Sequence, residues 1–242
     1  MMILTAPIFG AKHIEGLIFV AILNVVLYFV FKKYVKDERR FMIIALILFY
    51  VFEVLKLGYL IIRDGSFPMN HIPLHLCSLP LYAFPIIVFV KKDYWLHHWA
   101  KAAGFGVVLI AGITALVMPV NIIGSNETWF SLEDNYLPFI SFIYHGLMIF
   151  IPWYMVKAGY VSISRKSMLQ AMYFTTIIMV IALIVNLIWD KDYMLLNTGN
   201  GSPLVFLRDI HQVVYTMSMI ALGYIMIAIT FGVTMAIVSR KK

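Results

Sequence analysis

Residues 69–85 read MNHIPLHLCSLPLYAFP and carry two histidines, His71 and His75, together with the only cysteine of the chain, Cys77. A thiol becomes a strong nucleophile when a base or a cation stands beside it. If the stretch is helical, His75 and Cys77 are separated by about 200° of rotation, so the base must come from another segment. His145 and His211 are the candidates. His75, Cys77 and His145 would suit zinc by ligand type, but no compact C-x-x-C or H-E-x-x-H spacing accompanies them. The reading is therefore no metal and no cofactor. No serine nucleophile elbow, P-loop or dinucleotide fingerprint is present either.

The elements that position these residues are set by composition. Of 242 residues, 62% are hydrophobic and 13% charged. A helix crossing a hydrocarbon core about 30 Å thick needs roughly 20 apolar residues. Seven stretches qualify: 14–31, 41–62, 73–90, 100–118, 137–156, 168–189 and 211–238. The fold class is all-α, a polytopic membrane protein built as one seven-helix transmembrane domain over residues 1–242. Lys12, His13 and Glu15 precede the first stretch without a small-residue cleavage site, so it reads as a retained helix. One cysteine leaves no intrachain disulfide to form. No internal repeat or low-complexity segment is evident, which argues against an inverted-repeat transporter.

The net charge of +7 is explained by where the basic residues fall. Fourteen of the nineteen lysines and arginines lie in alternate loops: in KKYVKDERR, at Lys91, Lys92 and Lys101, at Lys157, Arg165 and Lys166, and in the closing RKK. The opposite side holds Lys12, Arg63, Lys191 and Arg208, and Lys56 lies inside the second stretch. The positive-inside rule then puts the N-terminus outside and the C-terminus in the cytoplasm. Basic cytoplasmic loops account for the charge, and no nucleic-acid partner is expected.

With that orientation the polar residues acquire depths. Cys77 falls about 6 Å below the outer end of the third helix and His145 about 12 Å down the fifth. Asn186 and His211 fall within about one turn of that level. Glu53 and Lys56 lie roughly 9 to 14 Å deep and, three apart on one helix, form a neutralising pair or a functional one. The outer half of the bundle is thus rich in chemistry and the inner half almost free of it. The connections 119–136 and 190–210, with acids, aromatics and turn formers, are expected to be ordered caps or re-entrant pieces.

The run HIPLHLCSLPLY resembles the signature of the YwaF-type bacterial integral membrane proteins, a family described as having seven transmembrane helices. Glu53, AGITALVMP, SFIYHGLMIFIPWYMVKAG and NLIWDKDYMLL continue the likeness in order over nearly the whole chain. That family is similar to an animal group of transmembrane acyltransferases. In them a cysteine and a histidine are implicated in moving a fatty acyl chain between glycerophospholipids. The resemblance implies Cys77 as nucleophile and His145 as base, with membrane phospholipids as substrate partners in a bacterial cytoplasmic membrane. Glu53, His75, Asn186 and His211 would orient or contact the substrate. His71, His75 and His211 exceed a one-histidine pattern and leave the base open between His145 and His211. A second reading is a small-solute transporter or sensor in which Glu53 and Lys56 relay a proton. A third is an accessory subunit whose polar groups only join helices.

Overall fold

The computed structural model describes residues 6–119, 122–124, 128–129, 132–199 and 201–240. Within them the chain is all-helical, with seven α-helices: α1 Ala11–Tyr34, α2 Glu38–Asp64, α3 Pro80–Phe89, α4 Trp95–Val117, α5 Leu132–Lys157, α6 Arg165–Trp189 and α7 Gln212–Ser239. Single 3-10 turns at Met69–His71, Leu76–Ser78, Tyr193–Leu195 and Val205–Asp209 occupy the connections. Six of the helices are long and apolar enough to cross a bilayer, and α3 is not. Ten residues rise about 15 Å, half of a hydrocarbon core.

Expected and observed helices agree to within a few residues for four of the seven and differ by five at the starts of α4 and α5. The third helix is the real correction, since it begins at Pro80 and not at Pro73. Proline suits a first helical position because its missing N–H is not needed there. A helix running through from Pro73 would require an amide on Pro80 to bond Leu76. The Leu76 carbonyl instead accepts from Leu79 N at 3.2 Å, and the His75 carbonyl accepts from Ser78 N at 2.9 Å. Cys77 therefore sits on a tight turn ahead of α3, and a depth counted along an α-helix does not apply to it.

α4 lies at the centre, packed against α3, α5, α6 and α7, while α1 packs on α5 and α2 on α3 and α5. Its buried face is built from small residues, Ala100, Ala103, Gly104, Gly106, Ala111 and Gly112, which allow helices to approach closely in a membrane. A Cβ on Gly112 would stand 2.8 Å from Met148 Cβ and 3.0 Å from the His145 carbonyl oxygen. The position thus fixes how near α5 and His145 come to α4. Outward-facing side chains such as Val25, Phe29, Val54, Leu187 and Ile229 are exposed and apolar, as a lipid-facing surface requires.

Helix ends carry their own caps. Asp37 accepts from Arg40 N at 2.9 Å, Ser164 and Ser167 form a reciprocal capping box on α6, and Gly65 closes α2 at φ +64°. At that end of the bundle the tail of α2, the head of α3, the tail of α4 and the heads of α5 and α7 converge. Tyr59 of α2 stacks near Tyr136 of α5 at 4.4 Å, and His13 of α1 bonds the Leu116 carbonyl of α4 at 2.7 Å. The opposite end is held by Glu38, which pairs with Lys92 at 3.0 Å and also with Lys101.

Candidate functional site

Cys77 is half-buried and carries a free thiol. Its turn is held from three directions. The Tyr144 hydroxyl of α5 donates to the Cys77 carbonyl oxygen at 3.1 Å. Tyr82 reaches back from α3 to the Pro73 carbonyl at 2.7 Å, and Tyr50 of α2 donates to the Leu81 carbonyl at 2.9 Å. Tyr144 is itself buried, its ring perpendicular to Phe49 at 4.8 Å.

His145 follows Tyr144 in sequence and is 5% exposed, which makes it a buried imidazole. Its Nδ1 lies 2.7 Å from the Ser141 carbonyl oxygen. A carbonyl can only accept, so in the neutral ring Nδ1 carries the hydrogen and Nε2 keeps the lone pair. That tautomer is the one able to take a proton at Nε2. Among the described residues no hydrogen bond joins His145 to the Cys77 thiol. The two are linked through Tyr144, whose ring lies 5.6 Å from the imidazole and whose hydroxyl holds the cysteine turn.

Glu53 and Lys56 form the expected pair, with Lys56 Nζ 2.8 Å from Glu53 Oε2. α2 and α3 run antiparallel: Glu38 meets Lys92, Phe49 meets Phe84 at 5.4 Å, and Tyr50 meets Leu81. Glu53 lies one turn beyond Tyr50, alongside the turn that precedes α3.

His75 is half-buried, with its ring 5.3 Å from Tyr193. Burial, helped by the positive charge of Lys56, pushes its pKa below the ordinary histidine value. Tyr193 is the anchor of the 190–199 connection. Its amide donates to Asn186 Oδ1 at 2.8 Å, its carbonyl accepts from Asn186 Nδ2 at 3.0 Å, and its hydroxyl donates to the Met69 carbonyl. Asn186 is therefore fully engaged in fastening Tyr193 beside His75. His211 is exposed and is the N-cap of α7, its Nδ1 accepting from Val213 N at 3.1 Å. The structure thus brings Cys77, His145, Glu53, Lys56 and His75 to one region. It gives Asn186 and His211 local structural partners.

The 190–199 connection is ordered, as its composition suggests. Asp192 accepts from Asn197 N, Thr198 Oγ1 and Gly199 N, and Gln212 and Thr216 of α7 bond the Leu196 carbonyl. Much of 119–136 lies outside the described residues.

Two groups escaped the sequence reading. Tyr144 is one, hidden inside the apolar run SFIYHGLM, where a tyrosine carries no signal of its own. The other is a buried clasp at the head of α1. Lys12 donates to Asn135 Oδ1 at 2.5 Å and lies 5.1 Å from the Trp129 ring, while Trp129 Nε1 donates back to the Lys12 carbonyl at 2.8 Å. In the sequence Lys12 reads as a topological charge and as a polar flank of the first helix; the nearby TWF and Asn135 were the available signal. Among the described residues no three histidine, cysteine or acidic side chains converge as a metal site.

Six membrane-length helices, with a half-buried cysteine, a buried histidine and a partly buried ion pair among them, define a multi-pass membrane protein with a polar site at one end of its bundle. The chain belongs to the TMEM164 family, whose model matches residues 8–230. Comparison with curated proteins and with solved structures gives no match.

Proposed function

We propose that the protein is a membrane-embedded acyltransferase that moves a fatty acyl group to or from a glycerophospholipid through a thioester on Cys77, with His145 as the base. The observation that carries this reading is the presentation of the chain's lone thiol on a turn fastened by Tyr144, the neighbour in sequence of a buried imidazole whose Nε2 is the basic nitrogen. In the first step Cys77 Sγ attacks the ester carbonyl carbon, forming a C–S bond and breaking the ester C–O bond. The thiol proton passes to His145 Nε2 and from there to the departing alkoxide. Contacts of this kind are often long in an unliganded site and tighten once substrate is bound.

The distribution of basic loops supports placing the site in the outer half of the bilayer, where ester carbonyls of the outer leaflet lie. A short α3 supports lateral access, since a ten-residue helix covers only about half the membrane depth. Labelled phospholipid should leave a hydroxylamine-labile acyl group on the wild type and none on Cys77→Ala. The buried Glu53–Lys56 pair favours a second reading, a small-solute transporter or sensor. In that case Cys77→Ala would be tolerated and Glu53→Gln would abolish function.

A further inference from the structure

Glu53 is 8% exposed. Its Oε2 is held by Lys56, but its Oε1 is buried and, among the described residues, without a hydrogen-bond partner. Buried polar atoms are overwhelmingly paired, and a carboxylate oxygen can only accept. A donor is therefore wanted at that point, and its position follows from the helix pairing. Tyr50 is bonded to the first turn of α3, and Glu53 stands about 4.5 Å further along α2 on the same face. That sets it beside the Leu76–Ser78 turn.

We infer that Glu53 Oε1 is the hydrogen-bond acceptor for the hydroxyl of the acyl-accepting lipid, which it holds beside the Cys77 thioester. This rests on the acyl-transfer reading and assigns the second half of the reaction. Lys56 already neutralises Glu53, so the pair has no net charge to offer a ligand. An ammonium bound there would leave an uncompensated charge in a buried setting, and a phosphate would meet a carboxylate. A neutral O–H satisfies Oε1 without either cost. In the step itself the acceptor oxygen attacks the thioester carbonyl carbon, forming a C–O bond and breaking the C–S bond. The acceptor hydroxyl has a single hydrogen, held in the bond to Glu53 Oε1; it passes to that oxygen as the C–O bond forms and from there to the departing Cys77 thiolate, restoring the thiol and the carboxylate.

The test separates loading from discharge. Purified protein is loaded with labelled acyl from phosphatidylcholine, then given lysophosphatidylcholine with its free secondary hydroxyl. Glu53→Gln replaces an acceptor by an amide donor at one of its two positions. Its ratio of discharge rate to loading rate, each measured in a single turnover, should fall about tenfold or more below the wild-type ratio, so that thioester accumulates. Lys56→Gln, which keeps a donor for Glu53 Oε2, should discharge faster than Glu53→Gln. A wild-type ratio in Glu53→Gln overturns the inference and leaves acyl transfer standing; a wild type that never acquires label removes both. A second measurement needs no variant. Thermal stabilisation of the wild type by lysophosphatidylcholine should require about tenfold more of its 2-O-methyl ether. Equal potency of the two lipids would overturn the assignment.

Discussion

The Tyr144 hydroxyl donates to the backbone carbonyl of Cys77 at 3.1 Å across two elements 67 residues apart in sequence. This contact ties the Cys77 turn to the helix that carries His145. Tyr144→Phe removes the donor while keeping the ring against Phe49. A loss of about 0.5 to 1.5 kcal/mol in stability is expected, read as a lower unfolding temperature in detergent. Thioester formation on Cys77 should slow as well, because the turn is no longer fixed relative to His145. Unchanged labelling kinetics in Tyr144→Phe would show that the bond holds the fold alone.

Asn186 satisfies both the amide and the carbonyl of Tyr193. Asn186→Leu fills similar space but leaves both backbone groups buried without partners, at about 1 to 3 kcal/mol each. Hydrogen exchange of the Tyr193 amide should rise sharply, with the 190–199 connection loosened from His75. An unaltered exchange rate would mean that another group holds Tyr193.

His211 is a helix cap in an exposed position. His211→Ala should cost about 0.5 to 2 kcal/mol, and His211→Asn, a residue well suited to caps, should recover most of it. Acyl transfer should be intact in the asparagine variant. If His211→Asn folds normally and cannot form the thioester, the base assignment moves from His145 to His211.

His75 titrates below the ordinary histidine range because it is partly buried and faces Lys56. Its native pKa is depressed relative to the unfolded chain, near about 6.5. The stability it contributes is therefore present above about pH 6.5 and is lost as pH falls towards the native pKa, since only the unfolded state then takes up the proton. Unfolding temperature should fall on acidification through this window, and His75→Gln should flatten the fall. An identical pH profile in that variant would rule His75 out as its source.

Much of the fold was legible in the sequence because membrane-length apolar stretches are long and nearly free of charge. Six of the seven helices follow directly from that pattern. The third did not, because an apolar run with two prolines looks the same whether it begins at Pro73 or Pro80. What decides it is the Leu76 carbonyl, which finds a 3-10 partner in Leu79 where Pro80 has no amide to give. Cys77, His145 and the Glu53–Lys56 pair were visible as costly residues in apolar surroundings. Their linkage through Tyr144 was not, since a tyrosine among apolar neighbours carries no periodic signal. Asn186 and His211 looked alike by depth, yet local backbone groups claim both, and depth along a helix does not show which carbonyl or amide lies nearby.

The central claim is that Cys77 carries the acyl group. Purified wild-type protein incubated with radiolabelled phospholipid should acquire one hydroxylamine-labile acyl group, located by mass spectrometry on the peptide containing Cys77. Cys77→Ala should acquire none, and His145→Ala should acquire it more slowly while remaining folded. Equal label on Cys77→Ala and on the wild type would contradict the covalent mechanism.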